Sequence, residues 1–376
     1  MYVSKRKISV LIILFINLLF AFKYGARGNY LTLSIAVSWV LIQFLILNFL
    51  FLKSFNINYN KWFLVLIGFT ILLFYFILNK IPVQSLNVDR WSVISSFWDA
   101  VFNHQYPYFA KSHMGNPPGP MPFYFLIALP FHLMGEIGWM PLMAIIIVCL
   151  NKKLFNLSDK ACFIIALFLL SSPFFLWETF ARSTVLLNSI LVFLVFKSIY
   201  DKLLAGKLNL YLEAILFGLV LSTRFVFVMP FLVLFIYALK HRFISFNILL
   251  KNGIISLLTF ALTFLPLIIF YPNDFWQMNP FLVQSGFLMP SYFTYLIILA
   301  SVVLAWFLPQ KTSITFYAGL ILFFTIVIYL GYHIFKNGFY EAYFGSSADI
   351  SYFIFSVPFL LYFLFHKVEA ETPEIN

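Results

Sequence analysis

Apolar residues run along this chain in long blocks separated by short polar breaks. A helix needs roughly 17–25 such residues to cross a hydrocarbon core. The blocks at 8–22, 30–52, 61–79, 161–177, 183–200, 252–270, 290–308, 314–332 and 350–365 match or approach that length. Residues 117–150 are too long for one straight helix and are interrupted by Pro130, Gly135, Glu136, Gly138 and Pro141. They read as a broken element with one net crossing. Trp177-Glu178-Thr179 reads as a short outer turn. The segment 209–239 holds two apolar halves that meet at Ser222-Thr223-Arg224, with Lys202 and Lys207 before it and Lys240 and Arg242 after it. Basic flanks stay in the cytoplasm, so this pattern predicts a hairpin of two short helices with Arg224 near its outer turn. Non-helical backbone at that depth is tolerated only where protein or a wet cavity surrounds it. The fold class expected is all-α: a polytopic transmembrane bundle of about 11–13 hydrophobic helices.

The longest polar interruption spans 79–123 and concentrates Asp, Arg, His, Lys, Asn and Trp between oily neighbours. Inside it, Trp91, Ile94, Phe97, Trp98, Val101 and Phe102 recur at helical spacing, with Ser92, Ser95, Ser96, Asp99 and Asn103 opposite. That pattern is the one of a helix lying flat in a membrane interface. Asp89 precedes it directly. One reading makes Asp89 only its N-cap, with Ser92 in the first turn; the other lets Asp89 also do chemistry.

Charge placement sets the sidedness. Under this topology 16 Lys and Arg fall on one side, 7 on the other and Arg224 within the membrane, the bias of cytoplasmic loops. The formal charge of +11 therefore calls for no nucleic acid. Loops 80–116, 271–289 and 333–349 face outward, and so does Asp274. Lys5-Arg6-Lys7 ahead of 8–22, with Lys23 closing the run and no small-x-small cleavage site, reads as an uncleaved signal anchor. The expected organisation is an N-terminal signal-anchor and second span (1–60), a membrane domain (61–366) and a cytoplasmic tail (367–376), both termini being cytoplasmic in a bacterial-type inner membrane. Composition agrees: 63% hydrophobic residues, 10% charged residues, 51 Phe and 21 Tyr, against about 25% charged in soluble domains. Cys149 and Cys162 flank one predicted cytoplasmic loop, which favours neither a disulfide framework nor a metal site. Six scattered His show no ligand spacing. There is no Walker loop, GxGxxG, HExxH or Ser-centred elbow. Without a nucleotide fold, a membrane enzyme would draw on an activated donor already in the bilayer.

Four ordered features resemble a GT-C-type glycosyltransferase, the integral-membrane superfamily that takes sugars from polyprenyl-phosphate carriers. They are Val88-Asp89-Arg90-Trp91 just after a span; Tyr106-Pro107-Tyr108 followed by Asn116-Pro117-Pro118-Gly119-Pro120 and Tyr124; Ser171-Ser172-Pro173 through Phe180-Ala181-Arg182-Ser183 to Asn188; and Gly218-Leu219-Val220-Leu221-Ser222-Thr223-Arg224 ahead of Met229-Pro230-Phe231. The likeness covers about 60–238, and the spans 8–22 and 30–52 precede it with no role assigned. Some relatives carry a second carboxylate where Asn188 stands. The resemblance implies an inverting transfer of a hexose, possibly mannose, from a polyprenyl-phosphate sugar to an envelope glycan or lipid, with no cofactor beyond the lipid-linked donor.

A lipid phosphate leaves as a stable anion, so the chemistry needs a base for the acceptor hydroxyl and cations for the phosphate. Asp89 is the expected base, with Asp99 the weaker candidate. Arg182 and Arg224 are the expected phosphate ligands, because a guanidinium forks onto phosphate oxygens. The rival reading of Arg182 is a pair with Glu178 four residues earlier. Arg90, Tyr108, Lys111, His113, Asn116 and Asn188 join the substrate-binding set, and Asp349 with Tyr352 stands on the acceptor side. Two other classes compete: a secondary transporter or lipid flippase, which tends to show internal repeats and midplane charges, and a non-catalytic subunit of an envelope-glycan complex.

Overall fold

The structure, a computed structural model, describes residues 2–365 apart from 27, 54, 56, 208, 285–287 and 311; the expected cytoplasmic tail, 367–376, lies outside the described residues. Every element is helical, with no strand among the described residues. Among the described residues, three helices are long and apolar enough to cross a membrane, or up to five if each of two bent pairs counts as one span.

The first three helices follow the sequence blocks: α1 (Tyr2–Gly25), α2 (Tyr30–Leu52) and α3 (Tyr59–Lys80). Asn29 and Asn58 cap the second and third, each accepting from a backbone N–H of the first turn, so polar side chains start what apolar length sustains. Then α4 (Arg90–Phe102) buries Ile94, Phe97 and Ala100. Its apolar face is covered by protein more than the expected interfacial placement implies. Phe97 stacks on Phe125 at 3.7 Å between ring centroids and meets Tyr108 edge-on.

The expected crossing over 117–150 is a V. α5 (Pro122–Leu133) and α6 (Met140–Leu150) differ in direction by 109°, so the second arm runs partly back against the first. α7 (Asp159–Ser171) and α8 (Pro173–Phe180) bend by 66° at Ser172-Pro173, where Pro lacks the N–H that would continue the helix. Trp177, Glu178 and Thr179 are therefore helical, and the chain turns at Arg182 instead, whose φ is +53°. α9 (Val185–Leu204) follows, with most of its residues buried, Asn188 and Lys197 among them.

α10 (Tyr211–Leu221) and α11 (Val228–Lys240) are the two arms expected around Ser222-Thr223-Arg224. Phe217 of the first arm meets Phe231 and Phe235 of the second, with centroids 4.3 and 5.4 Å apart. α12 (Phe246–Leu262) lies against α10, followed by α13 (Leu265–Phe270), α14 (Pro272–Gln277) and α15 (Pro280–Gln284). α16 (Ser291–Phe307), α17 (Ile314–Asn337), α18 (Phe339–Tyr343), a 3-10 stretch Ile350–Ser356 and α19 (Val357–Phe365) complete the chain. One apolar core joins them, and α1 contributes Ile12, Ile16 and Phe20 to it alongside residues of α9, α11, α17 and α19. On the outside, α3 exposes Leu64, Val65, Phe69 and Leu72, and α12 exposes Leu257 and Leu258. Apolar patches of that extent are expected of a surface that meets lipid. Several apolar helices able to span a bilayer are what an integral membrane protein requires.

The α10–α12 contact depends on Gly218. A Cβ there would lie 2.3 Å from the Ser256 carbonyl oxygen and 2.8 Å from Cβ of Thr259, a close backbone approach of the small-residue kind that membrane helices use. Gly218→Val is expected to destabilise the fold by about 1–3 kcal/mol through overpacking, read as a lowered unfolding midpoint in detergent.

Candidate functional site

A cleft of about 600 Å³ opens where the start of α4, the Pro-rich segment 116–120, the turn between α10 and α11, and the stretch 341–355 converge. Its wall holds Asp89, Arg90, Asn116, Arg224, Asp349 and Tyr352, which the sequence scatters over more than two hundred positions.

Asp89 occupies the N-cap position of α4, yet its side chain makes no cap hydrogen bond. Its backbone carbonyl accepts from Val93 N–H at 2.9 Å and from Ser92 Oγ at 3.1 Å. The carboxylate is engaged elsewhere: Oδ2 accepts from Ser112 Oγ at 2.9 Å and from Asn116 Nδ2 at 2.7 Å. The cap-only reading is thereby corrected, because the side chain turns away from the helix N–H groups. Two neutral donors hold one carboxylate oxygen, and Oδ1 carries no hydrogen bond among the described residues.

Arg224 is placed by backbone pairing. Met121 N–H donates to Thr223 O at 3.1 Å and Phe123 N–H to Ser222 O at 2.9 Å, tying the Pro-rich return to the hairpin turn. Gln284 closes the joint: its Nε2 donates to Gly119 O at 2.6 Å and its Oε1 accepts from Phe225 N–H at 3.0 Å. The Arg224 guanidinium carbon then lies 5.3 Å from the Tyr124 ring, 5.1 Å from Tyr352 and 5.9 Å from Phe355. Cation–π contact at these distances fixes orientation without neutralising charge. No carboxylate pairs with Arg224 among the described residues, and its Nε is buried without a hydrogen-bond partner. Arg90 differs: it pairs with Asp349, donates to Ser351 Oγ at 3.0 Å and lies 5.6 Å from the same Tyr352 ring. A guanidinium that bonds the Tyr352 phenol but no carboxylate keeps its charge available to an anion.

The remaining expected site residues lie off the cleft wall, each for a visible reason. Arg182 is 1% exposed and its donors are consumed by protein: Glu136 Oε1 and Oε2 at 3.2 Å, Leu78 O at 3.0 Å, Ile81 O at 2.9 Å and Phe180 O at 3.0 Å. It clamps α3, the α5–α6 break and its own left-handed turn together, and its carboxylate partner is Glu136 where Glu178 was the alternative. Glu178 instead accepts from Leu186 N–H at 2.9 Å at the start of α9. Asn188 is buried within α9, donating to Thr184 O at 2.8 Å. Tyr108 is fully buried beneath α4 and donates to Pro120 O at 2.9 Å; burial pushes its phenol well above the ordinary range, so it serves as a neutral strut of the Pro-rich segment. His113 stacks on Trp91 at 5.4 Å, with Nδ1 2.6 Å from Ser92 Oγ. Lys111 is exposed, and Asp99 is exposed 3.9 Å from His132 Nε2.

The wall also contains residues that carry no sequence signal: Lys23 and Tyr24 at the end of α1, Trp177 of α8, Gln284, and Glu341 of α18. Lys23 looks in sequence like the stop of a span, and Glu341 like a loop carboxylate. No group of three or more His, Cys, Asp or Glu that could hold a metal occurs among the described residues. No protein-family model, no curated protein and no solved structure matches this chain.

Proposed function

We propose that the protein is an inverting glycosyltransferase of the GT-C type, a polytopic helical bundle of a bacterial-type inner membrane with both termini in the cytoplasm. It moves a hexose from a polyprenyl-phosphate sugar to an envelope glycan or lipid at the outer face. The observation that supports this reading most is one cleft holding both a hydrogen-bonded carboxylate, Asp89, and a guanidinium without a carboxylate partner, Arg224. In the transfer, an acceptor hydroxyl oxygen forms the new bond to the anomeric carbon and its proton passes to Asp89. The bond from that carbon to the phosphate oxygen breaks, and the phosphate keeps the electron pair beside Arg224. Attack opposite the leaving group inverts the anomeric configuration. Preorganised cationic donors aimed at the developing charge are the larger contribution in such chemistry. The Arg90–Asp349 pair, nearly neutral as a unit, belongs to the same wall.

Membranes containing the protein, incubated with labelled polyprenyl-phosphate hexoses, should yield a labelled product of inverted configuration and unlabelled lipid phosphate. Movement of intact lipid-linked sugar across vesicles with no covalent product would replace this reading with a flippase.

A further inference from the structure

One short turn grips Asp89 in two ways. The carboxylate oxygen Oδ2 is held by Ser112 and Asn116. The backbone on either side of Asp89 is held by His113, which lies between those two in the chain. The ring Nε2 donates to Leu86 O, ahead of Asp89, at 3.2 Å, and Nδ1 lies 2.6 Å from the hydroxyl of Ser92, which follows it. The His113 N–H donates to the same hydroxyl at 3.3 Å, and Ser92 Oγ in turn donates to Asp89 O at 3.1 Å. Trp91 covers the imidazole face, with planes 22° from parallel. The turn is itself closed: Gly115 N–H donates to Ser112 O at 2.8 Å, Ser112 N–H to Asn116 O at 2.9 Å and Asn116 N–H to Ser112 Oγ at 3.2 Å. Gly115 stands at φ +83°, which glycine adopts without a Cβ penalty.

His113 is exposed, so these contacts add little to the apolar core. An exposed side chain with both nitrogens and one ring face engaged has nonetheless given up its rotamer freedom. What it fixes is the register of the turn that brings two donors to Asp89. His113 lies off the cleft wall that Asp89, Met114 and Asn116 line, so it is not placed as a substrate ligand. Its partner Ser92 is 5% exposed, too enclosed for the Ser92–His113 contact to be an activated nucleophile.

We propose that His113 is the positioning residue of the Asp89 carboxylate. By pinning the turn 112–116 to the chain before and after Asp89, it keeps the Ser112 and Asn116 donors on Oδ2 and leaves Oδ1 as the oxygen without a hydrogen bond. Supporting side chains that lock the geometry of a reacting group act in this way. The consequence for proton removal rests on the glycosyltransferase reading; the clasp itself does not.

His113→Phe keeps a ring for Trp91 and deletes both nitrogen contacts, and two measurements on the full-length protein in lipid nanodiscs read the result. Hydrogen exchange followed by mass spectrometry should run about tenfold faster over 112–116, as it does when local opening becomes easier. Initial rates with a labelled polyprenyl-phosphate hexose should show kcat lowered about tenfold and the KM of donor and acceptor within about twofold, because slight misplacement of a reacting group costs turnover. In the Asp89→Asn background the same replacement should cost less than about twofold, since residues that act through one another are not additive. An equal loss in both backgrounds overturns the proposal, because His113 would then act without Asp89. Unchanged kcat overturns it too, and a rise in KM alone would make His113 a substrate ligand instead. Wild-type exchange over 112–116 overturns it whatever the kinetics show. If the wild-type protein transfers no sugar, the transferase reading falls and exchange alone decides the clasp, which stands if His113→Phe exchanges faster.

Discussion

Asp89→Asn is expected to lower the rate of sugar transfer about 10³-fold, within the span typical of losing a general base and equivalent to about 4 kcal/mol in the barrier. The geometry makes this substitution clean. The side chain does not cap α4, so the helix loses nothing, and an amide oxygen can still accept from Ser112 or Asn116, which now hold the carboxylate at 2.9 and 2.7 Å. The variant should therefore insert, fold and bind the lipid-linked donor as the wild type does, and fail only at proton removal. Initial rates with a labelled polyprenyl-phosphate hexose, beside a donor-binding measurement, read the two effects separately. Undiminished turnover in this variant would remove Asp89 from the chemistry. Asn116→Ala should give a smaller loss of the same kind, since it frees the carboxylate without removing it.

Arg224→Met is expected to reduce kcat/KM about 10²–10³-fold, the range seen when a preorganised donor to a developing anion is removed. Here the donor KM should rise along with the fall in kcat, because phosphate is present in both the ground state and the transition state. Arg224→Lys should recover only part of this. A point-charge ammonium on a flexible stem cannot reproduce a planar fork held between the Tyr124 and Tyr352 rings. Methionine conserves much of the volume packed on those rings, so the measured loss reports on charge. An effect confined to the acceptor KM would remove Arg224 from the phosphate. The same two substitutions separate a transferase from a flippase: an Asp89→Asn flippase should still move lipid.

The contrast between Arg224 and Arg182 shows where a one-dimensional reading stops. Both are arginines in apolar surroundings beside a turn, and the sequence offers both for the phosphate. What separates them is the acceptor supply. Around Arg182, two carboxylate oxygens and three backbone carbonyls converge from Leu78, Ile81, Glu136 and Phe180, and three of those positions are forty or more residues away in sequence. Around Arg224 there are rings, the Tyr352 phenol and an unsatisfied Nε, with no carboxylate. No local pattern encodes that difference. Tyr108 and His113 went the same way: their loop was legible, but whether each side chain faced the cleft or propped the loop depended on partners such as Pro120 and Trp91.

The sequence by itself determined the all-helical class, the apolar blocks and the break at Ser222-Thr223-Arg224. These follow from hydrophobic length, from residues that cap or interrupt a helix, and from the cost of placing charge among apolar neighbours, all of which act over a few turns of chain. The tertiary structure alone decided that Lys23, Trp177, Gln284 and Glu341 share a cleft with Asp89, that the α5–α6 pair folds back on itself, and that Arg182 is a structural clamp. Those outcomes depend on which distant surfaces meet, and packing of side chains across helices is a property of pairs of segments that neither segment carries alone.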